Sequence, residues 1–229
     1  MKKLLSFLLI IGLAMPVVGQ VSPFLDFGKS GLALMVGPEA GNTFFGATAK
    51  IGGSIKGIID LEGQFYYDIY DQEANNLLNK NATSPSFIGS ATWWFIRKQP
   101  IPMVDFNVGL LGVVDYSTFK DYDYAQDKSY KGYMGGLIGF ETRVKFRLTD
   151  KLALLPGYVV GFDFGNDKDI VNNQSVLTPY AGVFSNLGIS LARSCRRGDS
   201  FVVSVNQYFD TYESINYYDL TLGYILPIK

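Results

Sequence analysis

The sequence of 229 residues contains no histidine, and it contains a single cysteine, Cys195. Without histidine the chain cannot use a Ser-His or Asp-His pair as a catalytic base. Without histidine or a second cysteine it also lacks the usual ligands of transition metals, so we predict no metal site. These absences exclude histidine-dependent catalysis, transition-metal sites and a disulfide bond within the chain.

Long apolar runs are also scarce. Past residue 19, no stretch approaches the roughly 18 consecutive apolar residues that indicate a membrane-spanning helix. The one apolar run, Leu4 to Ala14, follows two lysines and precedes small residues at positions 17–19. This arrangement is typical of a secretory leader, so we expect residues 1–19 to be a signal peptide that is cleaved before Gln20. A membrane anchor is the alternative.

The charges are balanced, with 20 basic and 21 acidic residues and a net charge of −1. The chain therefore offers no basic field to nucleic acid, and we predict no such partner. Aromatic residues and glycine are abundant, with 15 Tyr, 17 Phe and 25 Gly. In membrane β-barrels, aromatic residues form girdles at the lipid interfaces, and glycine relieves crowding in bent strands. A soluble β-sandwich is the competing interpretation, and it would point its apolar side chains inward.

Apolar and polar residues alternate along much of the chain. In the last segment Tyr218, Leu220 and Leu222 share one face of a strand, and Asp219 and Thr221 share the other. An apolar outer face suits a strand with lipid outside and water or a polar plug inside. Ten such strands are predicted, at residues 27–36, 43–54, 58–70, 86–98, 103–117, 132–147, 152–165, 175–192, 200–210 and 217–228. We therefore predict that residues 20–229 form one all-β domain, a closed antiparallel up-and-down transmembrane β-barrel, with eight strands as the alternative.

The predicted connections are alternately short and long. Those after even-numbered strands are tight, whereas those after the third, fifth and seventh strands are longer and polar, at 71–85, 118–131 and 166–174. The connections after the first and ninth strands, near Pro38 to Asn42 and Thr211 to Asn216, are short and fit this rule less well. Short periplasmic turns and longer external loops are typical of outer-membrane barrels.

Charged residues indicate which face of each strand is inward. The sixth predicted strand carries a charge at each of four alternate positions from 141 to 147. These positions must face the lumen, because Arg or Lys facing lipid at the bilayer midplane costs about 2–4 kcal/mol. The same argument applies to the acids of the third and fifth strands. The predicted lumen charge network consists of Lys50, Asp60, Glu62, Asp105, Glu141, Arg143, Lys145 and Arg147.

Hairpin geometry predicts which of these charges meet. The second and third strands are neighbours, so Lys50 should lie near Glu62. The fifth and sixth strands are also neighbours, so Asp105 should lie near Lys145 or Arg143. Buried charges are tolerated only when they are paired and hydrogen-bonded, so we expect a dense network that plugs the narrow interior of a ten-stranded barrel. A charged constriction that selects ions in a small channel is the alternative.

In its leader, its strand alternation and its turn asymmetry, the chain resembles the family of small bacterial outer-membrane β-barrel proteins, which includes porin-like proteins. The resemblance covers residues 20–229 and rests on this pattern, without a signature motif. It implies export across the inner membrane, a bacterial outer-membrane location, contact with outer-membrane lipid, and assembly by the barrel-assembly machinery. Family members often end in an aromatic residue that this machinery reads, whereas this chain ends in Pro227, Ile228 and Lys229.

The resemblance also bears on function. The known enzymes of this kind (outer-membrane proteases, phospholipases, lipid A deacylases and palmitoyl transferases) each depend on a histidine base, so we predict that this chain is not an enzyme and takes no cofactor. Asp60 and Glu62 share a strand face and could do acid–base work, but charges in a polar lumen are more often paired with bases. The leading hypothesis is a barrel with a charge-plugged lumen that contributes to envelope structure or surface interaction. The alternatives are a small pore for ions or small solutes, and a binder of a hydrophobic ligand or lipid.

Overall fold

The computed structural model describes residues 29–41, 44–70, 82–118, 132–171, 174–195, 199–210 and 216–228. The predicted signal peptide and the predicted loop residues 71–81 and 119–131 lie outside these ranges. Within the described residues, no helix is long and apolar enough to cross a membrane. The strands are β1 (Ser30–Gly41), β2 (Phe44–Ile55), β3 (Ile59–Tyr70), β4 (Ala82–Ile101), β5 (Val104–Thr118), β6 (Gly132–Arg147), β7 (Leu152–Val171), β8 (Gln174–Ser194), β9 (Ser200–Asp210) and β10 (Asn216–Ile228).

The ten strands form one closed barrel. Each strand pairs antiparallel with its neighbour along the chain, and β1 also pairs with β10. Closure gives every strand a hydrogen-bonding neighbour on both sides, so the sheet has no open edge. The predicted fold class and the count of ten strands are confirmed, and the alternative of eight strands is wrong.

The connections β2–β3, β4–β5, β6–β7 and β8–β9 are short and lie at one end of the barrel, which we term the turn end; the opposite end is the loop end. Between β2 and β3, Lys56 and Gly57 have φ angles of 50° and 54°. Two positive φ angles in succession are what a type I′ hairpin turn requires. Between β6 and β7, the Thr149 hydroxyl accepts a hydrogen bond of 3.0 Å from the amide of Leu152. The prediction of tight turns after even-numbered strands is confirmed.

β1 lies further along the chain than the predicted range of 27–36. Residues 38–41, predicted as part of a turn, are strand and pair with β2 or β10. The ladder between β1 and β10 lapses at Gly37 and Pro38, because proline has no amide hydrogen to donate, and it resumes at Glu39. Pairing with β2 continues through Pro38. A proline that interrupts one ladder therefore does not end this strand.

The hairpin of β7 and β8 contradicts the predicted loop at 166–174. The pairing continues beyond Asn166 until Val171 lies opposite Gln174, so only positions 172 and 173 separate the strands. The strand residues within the predicted loop, 166–171 and 174, are mostly polar. A pattern of alternating apolar side chains cannot detect the part of a strand that extends beyond the apolar band. For the same reason, β4 begins at Ala82, inside the loop predicted at 71–85.

Side chains alternate between the outer surface and the interior along each strand. On β3, Glu62 and Gln64 are buried, whereas Leu61 and Phe65 are exposed. Large exposed apolar side chains cover the outer surface of all ten strands. An apolar exterior around a partly polar interior contradicts the soluble β-sandwich, which would bury its apolar faces.

Candidate functional site

A buried lysine organises the part of the lumen beside β1, β2 and β10. Nζ of Lys50 lies 2.5 Å from Oδ2 of Asp219 and donates a 3.1 Å hydrogen bond to the hydroxyl of Tyr208. That hydroxyl donates to the same Asp219 oxygen at 2.8 Å, and the Asn206 amide donates to the other oxygen. Lys50 and Asp219 are each 1% exposed, so the pair is shielded from bulk water. We term these four residues the Lys50 network.

A line of hydrogen bonds continues from this network along β3. Glu62, Gln64 and Tyr66 share the inward face because side chains of a strand repeat with a period of two. The Tyr66 hydroxyl lies 3.5 Å from that of Tyr208 and donates to Oε1 of Gln64. Nε2 of Gln64 then donates to Oε1 of Glu62. The line extends polar contacts from the Lys50 network towards the turn end.

A second network surrounds an arginine nearer the turn end. The Arg143 guanidinium bonds to Glu141 on the same strand and lies 3.6 Å from Oδ2 of Asp60 on β3. Its Cζ lies 4.9 Å from the ring centroid of Trp94, within cation–π range. Nε1 of Trp94 donates to Asp60, and the Thr92 hydroxyl donates to Glu141, both at 2.7 Å. All five side chains of this Arg143 network are buried.

A third ion pair lies at the turn end itself. Arg147 donates to both carboxylate oxygens of Asp105, at 3.2 and 2.5 Å, and to the backbone oxygen of Pro102 at 2.9 Å. The side chains of Arg147 and Asp105 are 30% and 16% exposed. Water therefore reaches this pair, in contrast to the two networks deeper in the barrel.

The eight predicted lumen residues lie on inward-facing positions, but their pairing differs from the prediction. Lys50 lies within electrostatic range of Glu62, as expected, but its ion pair is with Asp219. Closure of the barrel explains the difference, because β10 lies beside β1 and within reach of a long side chain on β2. Asp105 lies opposite Lys145 in register, as expected, but its ion pair is with Arg147.

The sequence prediction also missed part of the site. The alternation along the last strand placed Asp219 inward, but nothing in the sequence connected it to Lys50. Glu39 and Asp68 are buried near the loop end, and their carboxyl groups lie within hydrogen-bonding reach of each other. Glu39 lies in the part of β1 that was predicted as a turn, so its inward position was not recognised.

Apolar side chains fill other parts of the interior. One buried cluster joins β5, β6 and β7, and partly buried Val113 and Phe184 pack against it. A second cluster lies between β1, β9 and β10. The first consists of Leu111, Leu137 and Val159, and the second of Ala33, Met35, Val202 and Ile225. The lumen therefore contains apolar packing beside its charged networks.

Inward-facing glycines make room for the largest of these side chains. Trp94 lies opposite Gly109 in the register, and a Cβ at Gly109 would be 2.9 Å from the Trp94 ring. Met35 lies opposite Gly223, where an added Cβ would collide with its side chain. Because glycine has no side chain, the bulky residue opposite it can pack against the glycine backbone and fill the interior.

The site offers little for catalysis or metal binding. Among the described residues, no group of three or more Asp, Glu or Cys side chains is arranged to hold a metal ion. Asp60 accepts from Trp94 and faces Arg143, whereas Glu62 accepts from Gln64. The two carboxylates considered above as an acid–base pair are therefore each bonded to different neighbours.

No protein-family model matches the sequence, and no curated protein matches it. Solved structures that match include the outer membrane protease OmpT from Escherichia coli, at 10% identity over 91% of this chain and 100% of that chain, with a TM-score of 0.44. The translocator domain of the autotransporter NalP from Neisseria meningitidis matches at 9% identity over 87% and 88%, with a TM-score of 0.49. Ail, the attachment invasion locus protein of Yersinia pestis, matches at 10% identity over 89% and 100%, with a TM-score of 0.33. OmpT and Ail are outer-membrane β-barrel proteins, and the likeness of this chain to them is one of fold alone.

Proposed function

We propose that the chain is an integral β-barrel of the bacterial outer membrane whose lumen is closed by its own side chains. Its role is in envelope structure or surface interaction. The apolar outer surface of all ten strands supports the membrane location. So does barrel closure, because a segment that crosses lipid must satisfy every backbone hydrogen bond internally.

The near-complete burial of the charged side chains in the middle of the lumen carries the proposal of a closed lumen. Lys50, Glu141 and Asp219 are each 1% exposed, and Arg143 is 4% exposed. In a water-filled pore these charges would be hydrated. Each of them instead contacts a partner of opposite charge, which is the condition under which a buried charge is tolerated.

A non-enzymatic role is supported by the absence of histidine and by the engagement of Asp60 and Glu62 in the lumen contacts. Residues 1–19 direct export across the inner membrane, and the barrel-assembly machinery inserts residues 20–229. Outer-membrane lipid then surrounds the barrel, which needs neither a cofactor nor nucleic acid.

Conductance of the purified barrel in a planar lipid bilayer tests this function. A gel-mobility shift on heating verifies that the barrel is folded, and resistance to alkaline extraction from lipid vesicles verifies that it inserts. We expect inserted protein without discrete conductance steps. Reproducible unitary currents from the inserted parent chain would contradict the closed lumen and favour the alternative of a small pore. Protein that stays outside the bilayer and shows no shift on heating would contradict the membrane barrel itself.

A further inference from the structure

The outer wall has a concave region on the side formed by β2 to β6. The outward positions of these strands include glycine at 53, 63, 89, 112 and 136. In β1 and in β7 to β10, the described outward positions hold no glycine. The outward-facing glycines are therefore concentrated on one side of the barrel.

The strand register aligns these positions into two adjacent rows that run perpendicular to the strands. The first row is Leu32, Gly53, Leu61, Ala91, Gly112 and Ile138. The second row is Ile51, Gly63, Gly89, Val114, Gly136 and Phe164. At their centre, Gly63 pairs with Gly89 and Ala91 pairs with Gly112. These four residues are the floor of a groove of about 1050 Å³, which we term the wall groove.

The floor of the wall groove is open to the outside. A Cβ placed on Gly112 would meet nothing within 4 Å. A Cβ on Gly63 would make only ordinary contacts, at 3.7 Å, with the side chains of Ile51 and Phe87. The inward glycines behave in the opposite way, since Gly109 is covered by the Trp94 side chain. No other part of the chain that the structure describes fills the wall groove over Gly112.

The wall groove lies at the depth of the hydrocarbon core. The paired aromatic residues Phe87 and Tyr116 lie beyond the floor towards the loop end, and Trp93 lies beyond it towards the turn end. All three are exposed on the outer surface, and exposed apolar side chains continue beyond Trp93 at Phe95 and Ile101, so the groove lies within the apolar band. The outward-facing residues that line the groove include none with a charge.

We propose that the wall groove holds one acyl chain of a membrane phospholipid. The proposal rests on the membrane location proposed above but not on the closed lumen. Each row crosses six strands, which are separated by five spacings of about 4.8 Å, and is therefore roughly 24 Å long. Because strands of such barrels tilt by about 35–45°, the groove rises obliquely through roughly one leaflet of the approximately 30 Å hydrocarbon core.

Other occupants fit the wall groove less well. Water has no outward polar side chain to bond at the floor, and an unfilled groove would forfeit dispersion contacts along its lining. A second copy of the barrel presents a convex wall, which would rest on the surrounding Ile51, Leu61 and Val114 side chains without reaching the glycine backbone. A thin flexible chain reaches the floor and follows the oblique path.

Photocrosslinking in vesicles tests this proposal. The protein is reconstituted into phosphatidylcholine and phosphatidylglycerol vesicles that contain a trace of phospholipid with a diazirine in its acyl chain. Mass spectrometry should find labels several-fold enriched on peptides of β3 to β5 relative to β8 to β10. Gly112→Leu and, separately, Gly63→Leu fill the floor and should reduce this enrichment to the level of the opposite wall. Val203→Leu enlarges an exposed outward side chain of β9, outside the groove, and should leave the enrichment unchanged.

The controls separate this proposal from the membrane location. A heating shift on gels and resistance to alkaline extraction show that each variant is folded and inserted. Inserted protein with uniform labelling around the barrel, or with enrichment that survives both glycine substitutions, would overturn the acyl-chain site. Barrel-to-barrel crosslinks centred on β3 to β5 would assign the groove to a second copy and equally overturn it. Extraction of the parent protein by alkali would overturn the membrane location, and the lipid site with it.

Discussion

Two ion pairs of the lumen have the same length and different surroundings. In both the Lys50–Asp219 pair and the Arg147–Asp105 pair, the charged atoms lie 2.5 Å apart. The side chains of the first pair are 1% and 0% exposed, and those of the second are 30% and 16% exposed. The comparison teaches that the distance between the charges does not set their contribution to stability. Their contribution depends on the access of water, because water determines whether the remaining charge is hydrated when the other charge is removed.

The two pairs also differ in what they connect. Lys50 and Asp219 are 169 residues apart in the chain, on strands that lie on either side of β1 in the closed barrel. Arg147 and Asp105 are 42 residues apart on neighbouring strands of one hairpin. The deep pair therefore forms only when the barrel closes, whereas the shallow pair needs only the β5–β6 hairpin.

The largest effect is expected when the deep pair loses its acid. Asp219→Ala leaves the Lys50 ammonium buried without a counter-ion, and breaking a buried pair in this way costs about 3–5 kcal/mol. The free energy of unfolding, from urea titration of the barrel in lipid vesicles, should fall by that amount. Asp150→Ala, in an exposed turn, is the control and should be neutral. A parent-like unfolding midpoint for Asp219→Ala would show that water reaches Lys50.

A somewhat smaller effect is expected in the Arg143 network. Arg143→Ala should cost roughly 3 kcal/mol, the lower end of the range for a broken buried pair. The loss is moderated because Asp60 keeps its hydrogen bond from Trp94 and Glu141 keeps that from Thr92. Removal of the long side chain should also open a conductive path in planar bilayers. Unchanged stability, with the same large conductance in parent and variant, would instead indicate a water-filled pore.

Much of the barrel was predictable because lipid imposes a simple rule on each strand. Alternation placed Glu62 and Gln64 inward on the third strand and Arg143 inward on the sixth, and these three side chains are buried in the structure. A one-residue slip would have turned these side chains into lipid, so the pattern is strongly constrained wherever a strand crosses the apolar band.

The rule fails where lipid no longer acts or where partners are remote in the chain. The β7–β8 hairpin continues past Asn166 because backbone pairing does not need apolar side chains. The partner of Lys50 could not be read from hairpin neighbours, since it lies two strands away across the point of closure. Alternation shows which face a residue occupies, but the strand order around the barrel determines which charges meet.

Replacing both charges of the deep pair should cost less than removing one. Lys50→Met with Asp219→Leu removes both charges of the pair, and apolar replacement of a buried pair is often near neutral. Asn206 and Tyr208 lose their shared acceptor, however, and unsatisfied buried donors cost about 1–3 kcal/mol. Urea titration should therefore place the double variant between the parent and Asp219→Ala. Lys50→Met and Asp219→Leu alone complete the cycle, and a loss in the double variant equal to the sum of the two single losses would show that the charges are not coupled.

The smallest effect is expected for the shallow pair. Asp105→Ala leaves Arg147 partly hydrated and still bonded to the backbone oxygen of Pro102. Exposed ion pairs contribute about 0–1 kcal/mol, so the free energy of unfolding should change by no more than that. The small difference from the parent should shrink further in about 1 M salt, where the Debye length is only about 3 Å, whereas the cost of Asp219→Ala should persist. If Asp105→Ala is as costly as Asp219→Ala and equally insensitive to salt, the turn end of the lumen is as dry as its middle, and burial no longer distinguishes the two pairs.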